Sequence, residues 1–344
     1  MPAAPSHLFT EDVPKPELDN PESDGLLHPH HSGPHANFAE RANALVNATL
    51  GRTPDGASVI DPDSILDESG RLYHGYKDGK YLLPNDAAEQ DRLDVQHKVC
   101  LLALDGWLAL APYSRTPKHV LDIATGTGIW ALDYAERYPD AEVIGIDLSA
   151  IQPDRGFPNC SFQKDDAEAD WVFREAGKPD PILFDYVHAR LVMSCFDDTR
   201  NVMRHAFKNM QPGGWIEFQD IVVDTWAPNN LDSPFARWWD SMNQGAFTIG
   251  RDLNRPKSYK KWLEEVGFVD VRERKIITPC NPWPKDKKWK EIGAFQLLNL
   301  FEGMRPIAWK MLRLAGWEPE AIDALITEAK EYLRNIKNHP TADL

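Results

Sequence analysis

Two glycines separated by one residue, Gly126 and Gly128, follow an apolar run and precede a predicted helix. Glycine lets the backbone adopt positive φ and come close to a ligand, and the start of the following helix attracts negative groups. Together with Ala131 they fit the dinucleotide pattern Gly-x-Gly-x-x-Gly/Ala. This pattern alone fits NAD, FAD and S-adenosylmethionine, so it does not choose between them.

Carboxylates stand at three successive predicted strands. Asp122 lies just before the glycine turn and Asp147 ends the next strand, while Asp165 and Asp166 end the third. We expect Asp122 to face an ammonium group, Asp147 to hold ribose hydroxyls and Asp166 to accept from an adenine amino group. Acids in this order suit a cationic sulfonium ligand better than a pyrophosphate, which they would repel. For any single one, a helix-capping role stays open.

The elements that position these residues alternate between strand and helix, which predicts a doubly wound, mostly parallel α/β sheet. The predicted strands and helices of this region are strands 119–125, 142–148, 160–164, 182–187 and 214–223 and helices 129–138 and 198–210. Outside it, the patterns predict helices at 38–50, 259–266, 289–314 and 319–336 and a strand at 268–278.

A further helix precedes the sheet. Asp86 and Glu89 form a capping box at its start, and Pro112 stops it. His97 lies on the apolar face of this helix, where a core histidine and a site-lining histidine are both open interpretations.

Several segments together resemble class I S-adenosylmethionine-dependent methyltransferases, and more narrowly the fungal LaeA-like group of secondary metabolism. The resemblance covers roughly residues 60–335 and is carried by segments 81–86, 89–97, 120–130, 165–167, 184–190 and 211–217. It implies a Rossmann-like fold, S-adenosylmethionine as cofactor and an N-terminal lid helix over it. The cofactor-binding residues it implies are Tyr81, Arg92, Asp122, Ala124, Gly126, Gly128, Asp147, Leu148, Asp165, Asp166, Ala167 and Val187.

Two features depart from the family pattern. The family's turn often has glycine where this chain has Ala124, and a methyl group there is tolerated if φ stays negative. The family's sheet usually closes with an antiparallel strand after the last helix, but no apolar strand is visible after Ile336. Either that strand is missing, or residues 271–278 form the sheet edge.

Catalytic candidates lie at the carboxyl ends of the strands, where open α/β sheets bind ligands. His188 follows the fourth predicted strand and is a candidate general base, with bracing of the loop together with Arg190 as the alternative. His97 is the second candidate. We also expect one of Glu217, Gln219 and Asp220 to face the acceptor pocket, and the tryptophans after residue 210 to supply either aromatic pocket walls or core packing.

Composition excludes several classes. The 344 residues carry a net charge of −15, so we expect no nucleic-acid partner, and the short basic run 285–290 is interpreted as solvated surface. No run of 18 apolar residues and no signal-peptide pattern is present, so we expect no membrane span and a cytoplasmic location. The four cysteines are widely spaced, and the histidines near residue 30 lack fixed geometry, so we expect no metal site.

The chain is divided into a disordered tail (1–35), a helical lid region (36–112), a cofactor-binding core (113–280) and a helical C-terminal appendage (281–344). The leading hypothesis is methyl transfer to oxygen or nitrogen of a small molecule in a fungal natural-product pathway. A LaeA-like regulator with nuclear protein partners, an enzyme that keeps the cofactor without transferring methyl, and an NAD-dependent dehydrogenase are the alternatives.

Overall fold

The computed structural model describes residues 58–154, 156–174, 180–225, 227 and 229–344. The predicted helix at 38–50 and the tail histidines lie outside these residues. The elements in chain order are β1 (Ile65–Leu66), β2 (Leu72–Tyr73), α1 (Ala87–Ala103), β3 (His119–Ile123), α2 (Ile129–Arg137), β4 (Glu142–Asp147), β5 (Cys160–Lys164), β6 (Phe184–Arg190), α3 (Thr199–Lys208), β7 (Met210–Gln219), α4 (Pro234–Phe247), α5 (Tyr259–Val266), β8 (Ile277–Pro279), α6 (Lys287–Leu314), α7 (Pro319–Arg334) and β9 (Thr341–Asp343).

A five-stranded sheet, in the order β5-β4-β3-β6-β7, forms the centre of the fold. All of its strand pairs are parallel, which confirms the predicted Rossmann-like architecture. Successive side chains of a strand point to opposite faces of the sheet, so alternate residues of each strand pack into two different hydrophobic cores. Val120 and Tyr186 pack with α2 on one face, whereas Leu121 and Val187 pack on the face covered by α3.

A helical layer lies beside the carboxyl ends of the strands. Helix α1 packs along α6, and α6 packs against α4 and α7. Asp86 caps α1 by accepting from the Glu89 backbone amide at 3.1 Å, as predicted. The Glu89 carboxylate pairs with Arg92 instead of reaching back to the Asp86 amide, so the second half of the capping box does not form. Three tryptophans, Trp238, Trp239 and Trp309, are buried in the core of this layer. Burial among helices therefore accounts for them better than a role as pocket walls, although Trp309 also borders a second cavity.

The C-terminal third differs from the prediction. Within 268–278 the only strand residues are Ile277 and Thr278, because residues 272–275 are exposed and have no strand beside them to complete their hydrogen bonds. β8 pairs instead with β9, a short strand of Thr, Ala and Asp after Ile336 for which the sequence carried no apolar signal. Among the described residues no antiparallel strand joins the main sheet, and segment 271–278 is not its edge; Asp343 only bridges Val222 beyond β7.

Candidate functional site: a cleft at the carboxyl ends of the strands

A cleft lies where β3, β4, β5 and β6 end and α1 passes over them. Most of the predicted site residues are brought together in its lining, namely Tyr81, His97, Asp122, Ala124, Gly126, Asp147, Leu148, Asp165, Asp166, Ala167 and His188. Other lining residues escaped the sequence prediction, among them Asn85, Thr125 and Ser149. These small polar residues carry no motif of their own, so only the folded chain identifies them.

Three predicted cofactor residues do not line the cavity. Val187 is fully buried in the centre of the sheet. Arg92 is buried in an ion pair with Glu89 at 2.7 Å and donates to Asn299 Oδ1 of α6 at 2.7 Å, so it ties the two helices together. Gly128 serves packing at the start of α2, because a Cβ there would lie 2.5 Å from Cζ of Phe162.

The glycine turn is left-handed at three residues. Gly126 and Gly128 have φ of 58° and 79°, and Ala124 has φ of 53°. The condition for tolerating a methyl group at Ala124 without strain, a negative φ, is therefore not met. An L-residue in this region costs about 1–2 kcal/mol, because its Cβ approaches the following carbonyl oxygen. The turn keeps this strain at the point where the backbone borders the cavity.

Asp147 closes the turn from the neighbouring strand. Its Oδ2 accepts from the Gly126 amide at 2.8 Å and its Oδ1 from the Ser149 amide at 2.9 Å. Burial raises the pKa of Asp147 to about 6, and the charge of Asp122 adds to this, although both amide hydrogen bonds lower it. Two backbone hydrogen bonds thus hold the carboxylate in place at the cavity. Because burial destabilises its charged form, a positive or hydrogen-bonding ligand group would stabilise it.

Asp122 and His188 form a buried pair. Asp122 Oδ1 lies 2.7 Å from Nδ1 of His188, and its Oδ2 accepts from the Thr125 hydroxyl at 2.5 Å. The imidazole stacks on Trp130, with centroids 3.7 Å apart and planes at 6°. Because a carboxylate only accepts, Nδ1 of neutral His188 carries the proton and Nε2 has the lone pair. Among the described atoms, this buried Nε2 has no hydrogen-bond partner.

His97 is engaged at both ring nitrogens. Nε2 lies 2.8 Å from Oδ2 of Asp133, and Nδ1 lies 2.7 Å from a guanidinium nitrogen of Arg190. Since Arg190 only donates, Nδ1 must accept and Nε2 must donate to Asp133. In this arrangement His97 links α1 to α2 and β6, and neither nitrogen is available to take a proton from a substrate.

Asp166 is held by two lysines at the far end of the cavity. Lys77 and Lys80 donate to its Oδ2 at 2.6 and 2.5 Å, and these hydrogen bonds lower the pKa of Asp166 although burial raises it. The segment before α1 is thereby pinned across the cleft, and Lys164 bonds Asp61 of the same segment at 2.9 Å. The sequence offered no signal for these pairs, since the partners lie about 90 residues apart in the chain.

The cleft at the strand ends is not lined by Glu217, Gln219 or Asp220. Glu217 accepts from the Leu110 and Ala111 amides and from the Tyr186 hydroxyl, and so holds the segment after α1. Gln219 donates to Glu217 at 2.9 Å.

Asp220 accepts from the Tyr259 hydroxyl at 2.9 Å and the Val192 amide at 3.1 Å, and burial raises its pKa to about 7. Asp220 therefore fixes the loop that follows β6. The expectation that one of the three acids or amides faces the acceptor is not met at this cavity.

Within the described ranges, no cluster of side chains suited to a metal ion is present, and no helix is long and apolar enough to cross a membrane. A parallel doubly wound sheet with a glycine turn and a cleft at its carboxyl edge defines the class of Rossmann-like proteins that bind nucleosides and nucleotides.

Comparisons with known proteins narrow the class. A family model described as a methyltransferase domain matches residues 94–273. Methyltransferase pytC of Aspergillus terreus is 36% identical over 267 residues, covering 76% of this chain and 80% of that protein. Secondary metabolism regulator LAE1 of Cochliobolus heterostrophus is 32% identical, covering 83% of this chain and 95% of the regulator. Protein-methionine methyltransferase laeA of Emericella nidulans is also 32% identical, covering 85% and 78%.

The chain therefore belongs to the S-adenosylmethionine-dependent methyltransferases, in the fungal secondary-metabolism group that includes the LaeA-like proteins. It is an enzyme of the transferase class, and its cofactor is S-adenosylmethionine.

Proposed function

We propose that the protein transfers a methyl group to an oxygen or nitrogen of a small molecule in fungal secondary metabolism. The observation that carries this proposal is the enclosure of the cleft. Residues 80–85 and helix α1 lie over the strand ends, and the Lys77 and Lys80 pairs with Asp166 pin this cover down. A small acceptor fits beneath such a cover more readily than a folded protein surface does. The name of the relative methyltransferase pytC agrees with methyl transfer and names no acceptor.

The chain's residues suit the cofactor on chemical grounds. Positive φ at Gly126 leaves the backbone open to a ligand, and Asp122 and Asp147 supply negative charge for a cation. We assign Asp147 to the ribose hydroxyls and the turn with Asp122 to the methionine end. Asp165, Asp166 and the Ala167 region border the adenine end. When bound, S-adenosylmethionine supplies an electrophilic methyl group with a neutral thioether as leaving group.

His188 is the proposed base. The lone pair on its Nε2 would take the proton that the acceptor's oxygen or nitrogen loses on methylation, and the bound cofactor would supply the methyl group. Asp122 holds the ring through Nδ1 and stabilises the imidazolium that results, while Trp130 fixes its plane. The site thus contributes alignment, exclusion of water and one proton acceptor.

The base assignment is tested by His188→Asn. We expect kcat to fall about 10²–10⁴-fold, as for the loss of a general base, while the affinity for S-adenosylhomocysteine changes little. His119→Asn is the matched control, because His119 starts β3 at the opposite edge of the sheet. Unchanged kcat at saturating cofactor would leave His188 with a bracing role only.

The acceptor class is tested with methyl-labelled cofactor added to a fungal extract with the purified enzyme. Label in the metabolite fraction, with products one CH₂ heavier, supports the proposal. Label confined to protein would overturn it and favour a protein acceptor, which the name of the Emericella nidulans relative motivates. A changed metabolite of unchanged mass would instead favour the cofactor-retaining, non-methylating alternative.

A further inference from the structure

A second cavity, of about 500 Å³, lies behind the cover of the cofactor cleft. Its walls come from the segment around Leu82, from the loop after β6 at Asp197, and from α6 around Trp309 and Lys310. Leu82 directly follows Tyr81, which lines the cofactor cleft, so the two cavities are neighbours separated by this segment. None of the residues assigned to the cofactor lines the second cavity.

Lys310 provides charge in this cavity. Its ammonium lies 3.4 Å from the centroid of the Tyr73 ring, and among the described residues no carboxylate comes within 4 Å of it. Burial lowers the pKa of Lys310, although the charges of Asp67 and Asp78 raise it. A half-buried ammonium held on an aromatic face has given up water without gaining an anion at contact distance.

The acidic residues that also line the cavity have donors of their own. Arg313 donates to Glu68 at 3.0 Å, and Arg251 donates to Asp197 at 2.8 Å. Asp67 accepts from the amide and hydroxyl of Ser69. Glu68 and Asp197 are therefore paired with arginines, whereas Asp67 accepts only from neutral groups, keeps its charge and acts on Lys310 from beyond contact distance.

The remaining walls are apolar. Leu82 and Trp309 are buried, whereas Ile249 and Leu314 are 37% and 49% exposed at the rim. Isolated exposed apolar residues are ordinary, but here two of them edge a cavity with an aromatic floor. An apolar body and a single negative charge are the two features that these walls complement.

We propose that this cavity binds a small apolar molecule carrying one carboxylate or sulfonate group, with Lys310 as the anion contact and Trp309, Leu82 and Leu314 around the apolar body. The site is separate from the cofactor cleft, and the inference does not depend on the acceptor proposed above.

The test uses the full chain, saturated with S-adenosylhomocysteine to occupy the cofactor cleft, and two fluorescent probes. Anilinonaphthalene sulfonate is an apolar anion, and phenylnaphthylamine is the same aromatic body without the sulfonate. We expect Lys310→Met to weaken binding of the sulfonate by about tenfold, the value of one charge-assisted contact, with little effect on the neutral probe. Leu314→Trp should fill the cavity and weaken both probes.

Lys330→Met is the matched control. Lys330 also lies over an aromatic ring, that of Phe301, and burial also lowers its pKa, but it does not line the cavity. Equal sulfonate binding by the parent and Lys310→Met would overturn the proposal, as would equal loss in both lysine variants. Failure of the parent to bind the sulfonate would overturn it too. Thermal unfolding of each variant verifies that it is folded.

Discussion

Replacement of Asp147 by asparagine tests whether the buried carboxylate of the cleft lowers the free energy of unfolding. The structure raises the pKa of this carboxyl from 3.8 to about 6. At 1.36 kcal/mol per unit, that difference corresponds to roughly 3 kcal/mol between the charged and neutral forms. Because the carboxylate borders an open cavity, water screens part of this free-energy difference. We therefore expect it to contribute about 1–2 kcal/mol to the pH dependence of the free energy of unfolding.

The sign of the pH dependence follows from linkage. Between about pH 4 and pH 6 the folded protein holds the Asp147 proton more tightly than the unfolded chain does, so the free energy of unfolding falls as pH rises through this window. Asp147→Asn lacks this titration. The substitution also weakens the hydrogen bonds that Asp147 accepts from Gly126 and Ser149. This loss changes the free energy of unfolding of the variant by a similar amount at every pH.

The assay is chemical denaturation of the parent and of Asp147→Asn across this pH range without cofactor. We expect the free energy of unfolding of the variant, relative to that of the parent, to rise by about 1–2 kcal/mol between pH 4 and pH 7. Asp154→Asn, at an exposed position in the following loop, controls for the loss of one negative charge. A difference between parent and Asp147→Asn that is the same at every pH would refute the reasoning. Calorimetry should also show S-adenosylhomocysteine binding at least tenfold weaker in the variant, the value of a lost charge-assisted hydrogen bond.

Three further predictions concern the turn and the loop that frame the cleft. Gly128→Ala should destabilise the protein by more than about 2 kcal/mol in thermal unfolding, since its Cβ would meet Phe162 at 2.5 Å and φ is 79°; a neutral result would mean that the turn relaxes freely. Ala124→Gly should stabilise by up to about 1 kcal/mol, because relief at φ of 53° exceeds the entropy that glycine adds to the unfolded chain; a loss of stability would contradict this. Asp220→Asn should remove a fall in unfolding free energy between about pH 4 and pH 7, because burial raises the pKa of Asp220 to about 7; an unchanged pH profile would exclude it as the source.

Much of the sheet was predictable because its signals are local. The apolar centres of the strands around Leu121 and Val187, the helix cap at Asp86 and the glycine turn each depend on residues close in the chain. The predicted strand 160–164 coincides with β5, and the predicted helix 259–266 with α5. Segment 268–278 was misjudged because alternation predicts a strand without saying whether a partner strand is beside it.

The site was predictable only in part, for the same reason. Asp122, Asp147 and His188 each follow from their place at a strand end, but their pairing depends on register, which sets Asp122 beside His188 across β3 and β6. The engagement of both nitrogens of His97 could not be foreseen, since Asp133 and Arg190 come from different elements.

The sequence by itself determined the family, the cofactor and the class of fold, because these reside in short segments whose residue types and spacing are sufficient to recognise them. Tertiary structure alone decided that Ala124 is left-handed, that His188 has a lone pair while His97 has none available, and that Lys310 lines a cavity beside Trp309. These properties arise from contacts between residues distant in the chain, and such contacts exist only once packing has fixed each side chain's neighbours and its exposure to water.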